Sequence, residues 1–452
     1  MKKILTLIFA AFSVLLLVSC GLLGEGAGEN DIVIWANADY WGGTNGEIVS
    51  EFLNIYTEET GTRVIFAPQA DLDTRLKSAA IDGESPDLVI WDRWETVRYI
   101  RENRFVKIND YMDKAGVSID EFQQAAAREM MSGEDIYGLP LDVDAWGFWI
   151  NKTLLAEAGI TKLPRTWDEF EAAAIAMTRY SDPVNKTGMT RAGMNLNISG
   201  LFYSFLQTAG GEILTVDANG KPIPAFNSEY GEAVLQWWYE LVHTHKVYDF
   251  SFGASSQGGS VDDPFLTQKV AMQANSLLNG SSFYETYSDG SFEYEFVPFP
   301  MGPSSKFATQ DNPAASNAGG LMGGFGLAIP VTSKKQDLAW DLMEYWLTDL
   351  DNVVKWSEIS KLIPAKLEVI NDPKMKEIPN VRNVIDVLDS LRTRPQTPGY
   401  TSIETGVIMP LIDGFLFEGA YDRGNPTTID KVRAVLKHME TQAKEILEFE
   451  NR

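Results

Sequence analysis

The chain has 452 residues with a formal charge of −25, and a surface this acidic argues against nucleic acid and against adsorption on anionic lipid. Its single cysteine, Cys20, excludes an intramolecular disulfide. The length exceeds what one core usually serves, so two lobes are expected.

Residues 1–19 read as a secretory signal: Lys2 and Lys3 form a basic start, Ile4 to Val18 a short apolar run, and Ser19 precedes Cys20. A lone cysteine directly after such a run resembles the bacterial lipobox. That resemblance implies cleavage before Cys20, lipid on Cys20, and anchoring at the outer face of the cytoplasmic membrane, in a periplasm or at the cell surface. Residues 20–30 are Gly-rich and polar, a flexible tether.

Asp31 to Trp35 read as a first strand, followed by a loop carrying Tyr40 and Trp41. Thr44 and Glu47 have the spacing of a capping box, and Ile48, Phe52, Ile55 and Tyr56 recur at helical spacing until Gly61. Thr62 to Phe66 form a second strand and Asp73 to Ala80 a second helix. Leu88 to Trp91 is a continuous apolar run after the turn pair Ser85-Pro86, which suits a strand buried on both faces. This alternation predicts a parallel sheet. Ligands of open α/β sheets sit beyond the carboxyl ends of the strands, where Asp92 and Arg93 fall. A carboxylate accepts hydrogen bonds from hydroxyls, and a guanidinium offers a planar fork of donors; a solvated ion pair is the plain alternative.

Ile136 to Lys152 run apolar and aromatic, strand-loop-strand, with Asp142, Asp144 and Trp146 inside. Thr166 and Glu169 repeat the capping box before an Ala-rich helix. Leu201 to Ala209 and Tyr230 to His245 read as helices, Lys269 to Gln273 and Glu293 to Pro300 as strands. The glycine-rich stretch 319–330 enters a strand at Leu327–Ile329; glycines on both sides of Phe325 let backbone approach a ligand. The remainder is helical around a Pro-rich turn, Pro395 to Tyr400. Most aromatics serve cores, as expected for Trp91, Trp149 and Trp346 inside regular elements; Trp41, Trp146 and Tyr400, at loops, are the candidates for ligand contact.

Several stretches together are similar to the extracellular solute-binding proteins of ABC transporters, of the maltose-binding type. They are Ser85–Arg93, Tyr137–Ala145 with Asn151-Lys152, Pro164–Glu169, Val270–Met272 leading to Asn275-Ser276, Gly323–Pro330, and Arg394-Pro395 with Tyr400. The resemblance implies a two-lobed α/β clamshell, the type II periplasmic-binding-protein fold. Each lobe would be a mainly parallel sheet flanked by helices, with three interlobe crossings. One lobe would hold residues 31–143 and 300–330, the other 146–297 and 331–452. It implies a sugar or oligosaccharide in the cleft, delivered to the transmembrane subunits of a permease by a monomer that needs no cofactor. Asp92, Arg93 and Asp144 match its sugar-binding positions, and Tyr40 or Trp41 occupies the first-strand loop. Tyr203 lies where a stacking ring is expected, Tyr400 near another; Trp146, Asn275, Gly324 and Phe325 complete the expected site. Leu278 stands where such proteins often carry tryptophan, so the stacking platform must differ.

No histidine-cysteine-carboxylate cluster at metal-ligand spacing, no nucleophile elbow and no phosphate loop is visible, which argues against an enzyme. Two alternatives stay open: a surface glycoside hydrolase using carboxylates such as Asp142 and Asp144, and a binding protein for a polyamine, a glycerol phosphate or a peptide.

Overall fold

The computed structural model describes residues 28–450, apart from 83, 196–197, 253–261, 278–279, 281–283, 285–286, 303–319, 379–380, 386–387 and 425. The signal segment, Cys20, Leu278 and most of the stretch 300–330 expected in the first lobe therefore lie outside the described residues.

The first sheet runs Val64–Gln69, Ile32–Asn37, Leu88–Asp92, Phe325–Ala328, Leu139–Pro140. The first three strands are parallel, in register Ile34 to Phe66 and Ile34 to Leu88. Phe325–Ala328 closes antiparallel on Leu88–Asp92, with Phe325 opposite Asp92. Helices Gly43–Thr60 and Leu72–Asp82 are the crossovers. The capping box expected at Thr44 does not form. A short helix, Ala38–Trp41, capped by the Asn37 side chain, comes first, and Gly42 then starts the long helix with no side-chain cap. Gly61 ends that helix in the left-handed region at φ 77°. The box at Thr166 and Glu169 is present with both reciprocal bonds.

The second sheet centres on the ten-residue strand Asp142–Asn151. Its later residues pair with Met272–Ser276 on one side and Tyr294–Pro298 on the other. Its earlier residues pair with Met322–Gly323 and Ile363–Pro364. One strand thus carries the chain from the first half of the molecule into the second. These ladders are antiparallel, and among the described residues parallel contact there is confined to isolated bridges such as Asn195 to Gln273. The departure from the parallel first sheet follows from the shared central strand, whose neighbours all return along it.

Trp346 and Trp356, from helices Gln336–Leu347 and Leu350–Ser360, sit 5.0 and 5.4 Å from Phe52 in the first core. These helices therefore pack on the first half, not the second as expected for everything past residue 330. Their apolar faces showed that they bury something; only the tertiary fold shows against what. The C-terminal helix Thr428–Glu450 does join the second core, through Val432, Leu436 and Met439. Trp91, Trp149 and Trp346 are core residues, each at most 2% exposed. Among the described residues no helix is long and apolar enough to cross a membrane.

Candidate functional site

At the carboxyl ends of Ile32–Asn37 and Leu88–Asp92 lies a cavity of about 260 Å³, lined among others by Asn37, Tyr40, Asp92, Trp94 and Phe325. The parallel strands put it there: each ends, and the chain turns away, leaving a hollow beyond the sheet edge. A larger hollow of about 640 Å³ runs along helix Gly43–Thr60 beside Phe66. It is shallow outer surface and contains none of the side chains that converge at the strand ends.

Asp92 ends its strand and faces the cavity, as expected. Burial pushes its carboxyl up to about 7; Arg394 and Arg93 oppose the rise and Glu95 adds to it. Tyr40 stands beside it, tilted on Phe325 at 5.4 Å. Its hydroxyl is pushed up to about 12, first by burial and then by the Asp92 charge.

Arg93 is not in the cavity. It is fully buried, and Nε donates to Glu129 Oε2 at 3.1 Å. Nη1 donates to the carbonyls of Asp142 at 2.6 Å and Phe325 at 2.9 Å, and Nη2 to the carbonyl of Gly323. Nη1 also lies 3.5 Å from the Asp142 carboxylate. Arg93 opens the short 3-10 turn Arg93–Glu95 just past the strand end, and from there its side chain runs to Glu129 and Asp142 rather than into the hollow. The guanidinium instead ties three strand ends together. Gly324 serves this tie: at φ 123°, a Cβ there would stand 2.5 Å from both Arg93 Nη1 and Asp142 Oδ1. Burial pushes Glu129 up to about 7 and Asp142 up to about 6, with Arg93 opposing both.

Of the other expected contacts, Trp41, Phe325 and Tyr400 are packed into the cores. Trp41 is 1% exposed and meets Phe325 edge-on at 5.0 Å, so it backs the cavity wall. Phe325 lends the wall little surface, being 4% exposed. Tyr400 is 2% exposed in the second core, and its hydroxyl is raised by burial and the nearby Glu404 charge. Tyr203 is partly exposed, but its hydroxyl donates to the Thr393 carbonyl at 2.7 Å. Asn275 pairs opposite Gly147, and its Oδ1 accepts from the Ser276 N–H at 2.8 Å, away from the cavity lining. Trp146 is partly exposed at the edge of the second core beside Gly323. Asp144 is 6% exposed and adds to the field on Tyr40.

Two residues not chosen from sequence join the halves at this place. Arg394 belongs to the second half: Nε and Nη2 hold Glu404, at 2.9 and 3.0 Å. Burial works against its charge, and Glu404 more than offsets that, so its pKa is raised. Its guanidinium carbon lies 4.7 Å over the ring of Trp94, in the first half. Gln396 reaches Glu129 at 3.4 Å across the same seam. Arg394 thus neighbours Asp92, Tyr40 and Tyr203 electrostatically, and was visible in sequence only as half of an Arg-Pro pair.

Elsewhere, on the second half, distant segments bring Glu171, Glu240 and His245 within 4.8 Å of one another, a grouping that sequence spacing could not show.

Residues 40–349 match the family of bacterial extracellular solute-binding proteins. The chain is 21% identical over 349 residues to the maltotriose-binding protein of Pyrococcus abyssi, covering 76% of this chain and 69% of that one. It is 20% identical over 420 residues to the galactooligosaccharide-binding protein of Bacillus subtilis, covering 89% and 90%. Among solved structures it resembles an ABC transporter solute-binding protein from Thermotoga lettingae bound with α-D-tagatose, with a TM-score of 0.73, 19% identity, and 93% and 100% of the chains covered. It also resembles the Thermus thermophilus maltotriose-binding protein, with a TM-score of 0.69, 19% identity, and 91% and 99% covered.

Proposed function

The chain belongs to the bacterial extracellular solute-binding proteins, and on that premise we propose that it is the substrate-binding component of an ABC importer that captures a sugar or oligosaccharide between its halves. One lobe is built on the first sheet with helices Gln336–Leu347 and Leu350–Ser360, the other on the later residues of Asp142–Asn151 and the C-terminal helix. The observation that carries the reading is the hollow bearing Asp92, Tyr40 and Trp94 on one half, with Arg394 of the other half resting on Trp94. Carboxylate and hydroxyl suit the polar edge of a sugar, and rings suit its C–H face. Relatives named for maltotriose and galactooligosaccharides, and a neighbour solved with tagatose, support a carbohydrate.

A guest touching both halves favours closure by the difference in its contacts with open and closed forms. The closed form then docks on a permease, while lipid on Cys20 holds the protein at the membrane. Cys20→Ala would release it into the soluble fraction; retention in the membrane fraction would refute the anchor.

The hydrolase alternative is less favoured at the pair Asp142 and Asp144. Asp142 is 1% exposed, and its Oδ1 accepts the Phe325 N–H at 2.7 Å beside Arg93, so it cannot exchange protons with a substrate.

A thermal-shift screen over mono- and oligosaccharides tests the proposal. A ligand at a hundredfold excess over its dissociation constant stabilises the protein by about 2.7 kcal/mol. Sustained release of reducing sugar from an oligosaccharide would overturn it.

A further inference from the structure

The charges around the cavity do not balance. Its wall carries four carboxylates, Asp71, Asp73, Asp92 and Glu95, and no lysine or arginine. The cations nearby are already engaged. Arg98 holds Asp73 at 3.2 Å and Glu95 at 3.3 Å, and Lys77 holds Asp73 at 2.7 Å. Arg394 is committed to Glu404, and Arg93, behind the wall, is shared between Glu129 and Asp142. Among the described residues Asp92 forms no ion pair within 4 Å. Asp92 is partly exposed, and the guanidinium charges of Arg394 and Arg93 act on it without an ion pair to either, so its charge is only partly compensated.

The walls beside Asp92 are rings. Trp94 already carries one cation on a face, and Tyr40 stands next to Asp92. A positive group entering here would meet a carboxylate and aromatic faces together, with three donors of its own if it is an ammonium. An arginine sharing the site with Asp92 would favour a neutral polyol, since donors and acceptor would stand side by side. That arginine is spent elsewhere, and the reason for neutrality goes with it.

We propose that the cavity selects a carbohydrate bearing a protonated amine, an amino sugar or an oligomer of one, whose ammonium sits against Asp92 between Tyr40 and Trp94. The inference rests on the carbohydrate reading given above and narrows it to one class.

The test is calorimetry on the whole secreted domain with matched pairs near neutral pH: glucosamine against glucose, galactosamine against galactose, mannosamine against mannose, and de-N-acetylated against N-acetylated chitobiose. In at least one pair the amine-bearing member should bind at least about tenfold tighter, equivalent to about 1.4 kcal/mol. Asp92→Asn, with folding checked by circular dichroism, should bring that ratio down toward one. Neutral members binding as tightly as their amines, in every pair that binds, would overturn this inference and leave the carbohydrate reading standing. Silence from every member would overturn both. The comparison within pairs is made on the native chain, so it decides the matter even if the variant fails to fold.

Discussion

Replacing Arg93 with alanine should cost stability far more than ligand affinity. The side chain is fully buried and satisfies three backbone carbonyls, of Asp142, Phe325 and Gly323, and two carboxylates, of Glu129 and Asp142. Each orphaned buried acceptor costs about 1–3 kcal/mol, so the three carbonyls alone approach several kcal/mol before anything relaxes. Protonation of Glu129 and entry of water limit the loss, and breaking a buried charge pair typically costs about 3–5 kcal/mol. We expect a loss in that range. Urea unfolding followed by tryptophan fluorescence reads it directly, because Trp91 and Trp346 lie in the affected half. The double variant Arg93→Met with Glu129→Leu should recover only part, since the carbonyls stay unpaired. Ligand affinity of the folded Arg93→Ala protein should change much less than that of Asp92→Ala. An unchanged unfolding midpoint with affinity lost would refute the placement of Arg93 and return it to the ligand.

Stability should also fall as pH rises from about 5 to 8. Asp92 and Glu129, up to about 7, and Asp142, up to about 6, hold protons in the folded chain that the unfolded chain has released. Their contribution is therefore fully present below the ordinary carboxylate range and is lost as pH passes through 6–7. Denaturation midpoints at the two ends of that window, compared with Glu129→Gln, check it; a midpoint that climbs with pH would contradict it. Gly324→Ala should cost about 2–5 kcal/mol, from strain at a positive φ and from a Cβ forced onto Arg93 and Asp142; a melting temperature equal to that of the parent would show the tie to be loose. Asp92→Asn should weaken ligand binding by roughly 10–100-fold, the worth of one charge-assisted hydrogen bond, in isothermal titration. Full affinity in that variant would take Asp92 out of the site.

Much of the first sheet was legible because its signals are local. Leu88–Asp92 announces itself by four consecutive apolar residues after Ser85-Pro86, and its end marks where a ligand can lie. Asp92 followed from that. Arg93 was not assignable by strand alternation, because the strand stops at Asp92 and Arg93 opens a 3-10 turn. Gly324 offered a hint, for a glycine beside a buried guanidinium is explained by crowding as well as by a ligand. The aromatics were harder. Trp41 and Tyr400 sit in short helices next to loops, and whether such a ring is covered depends on segments far away in sequence. For Trp41 the cover is Phe325; for Tyr400 it is the core beneath the C-terminal helix. Arg394 and Trp94 converge from opposite ends of the chain, and no local pattern brings them together.

That convergence bears on how the protein would work. Arg394 on Trp94, Gln396 on Glu129, and Arg101 with Glu450 at 3.2 Å all join the halves. A ligand entering beside Trp94 exchanges contacts rather than adding them to an empty gap. It favours the closed form only by what it gains over these existing contacts, so part of its gross interaction is offset before any affinity is seen. Weakening the seam at Arg394 would therefore lower the population of closed protein without ligand, and Asp92 would still set which ligand is chosen. In the proposed importer the preference between ligands would rest mainly on Asp92 in the hollow, and the fraction closed mainly on Arg394 beside it.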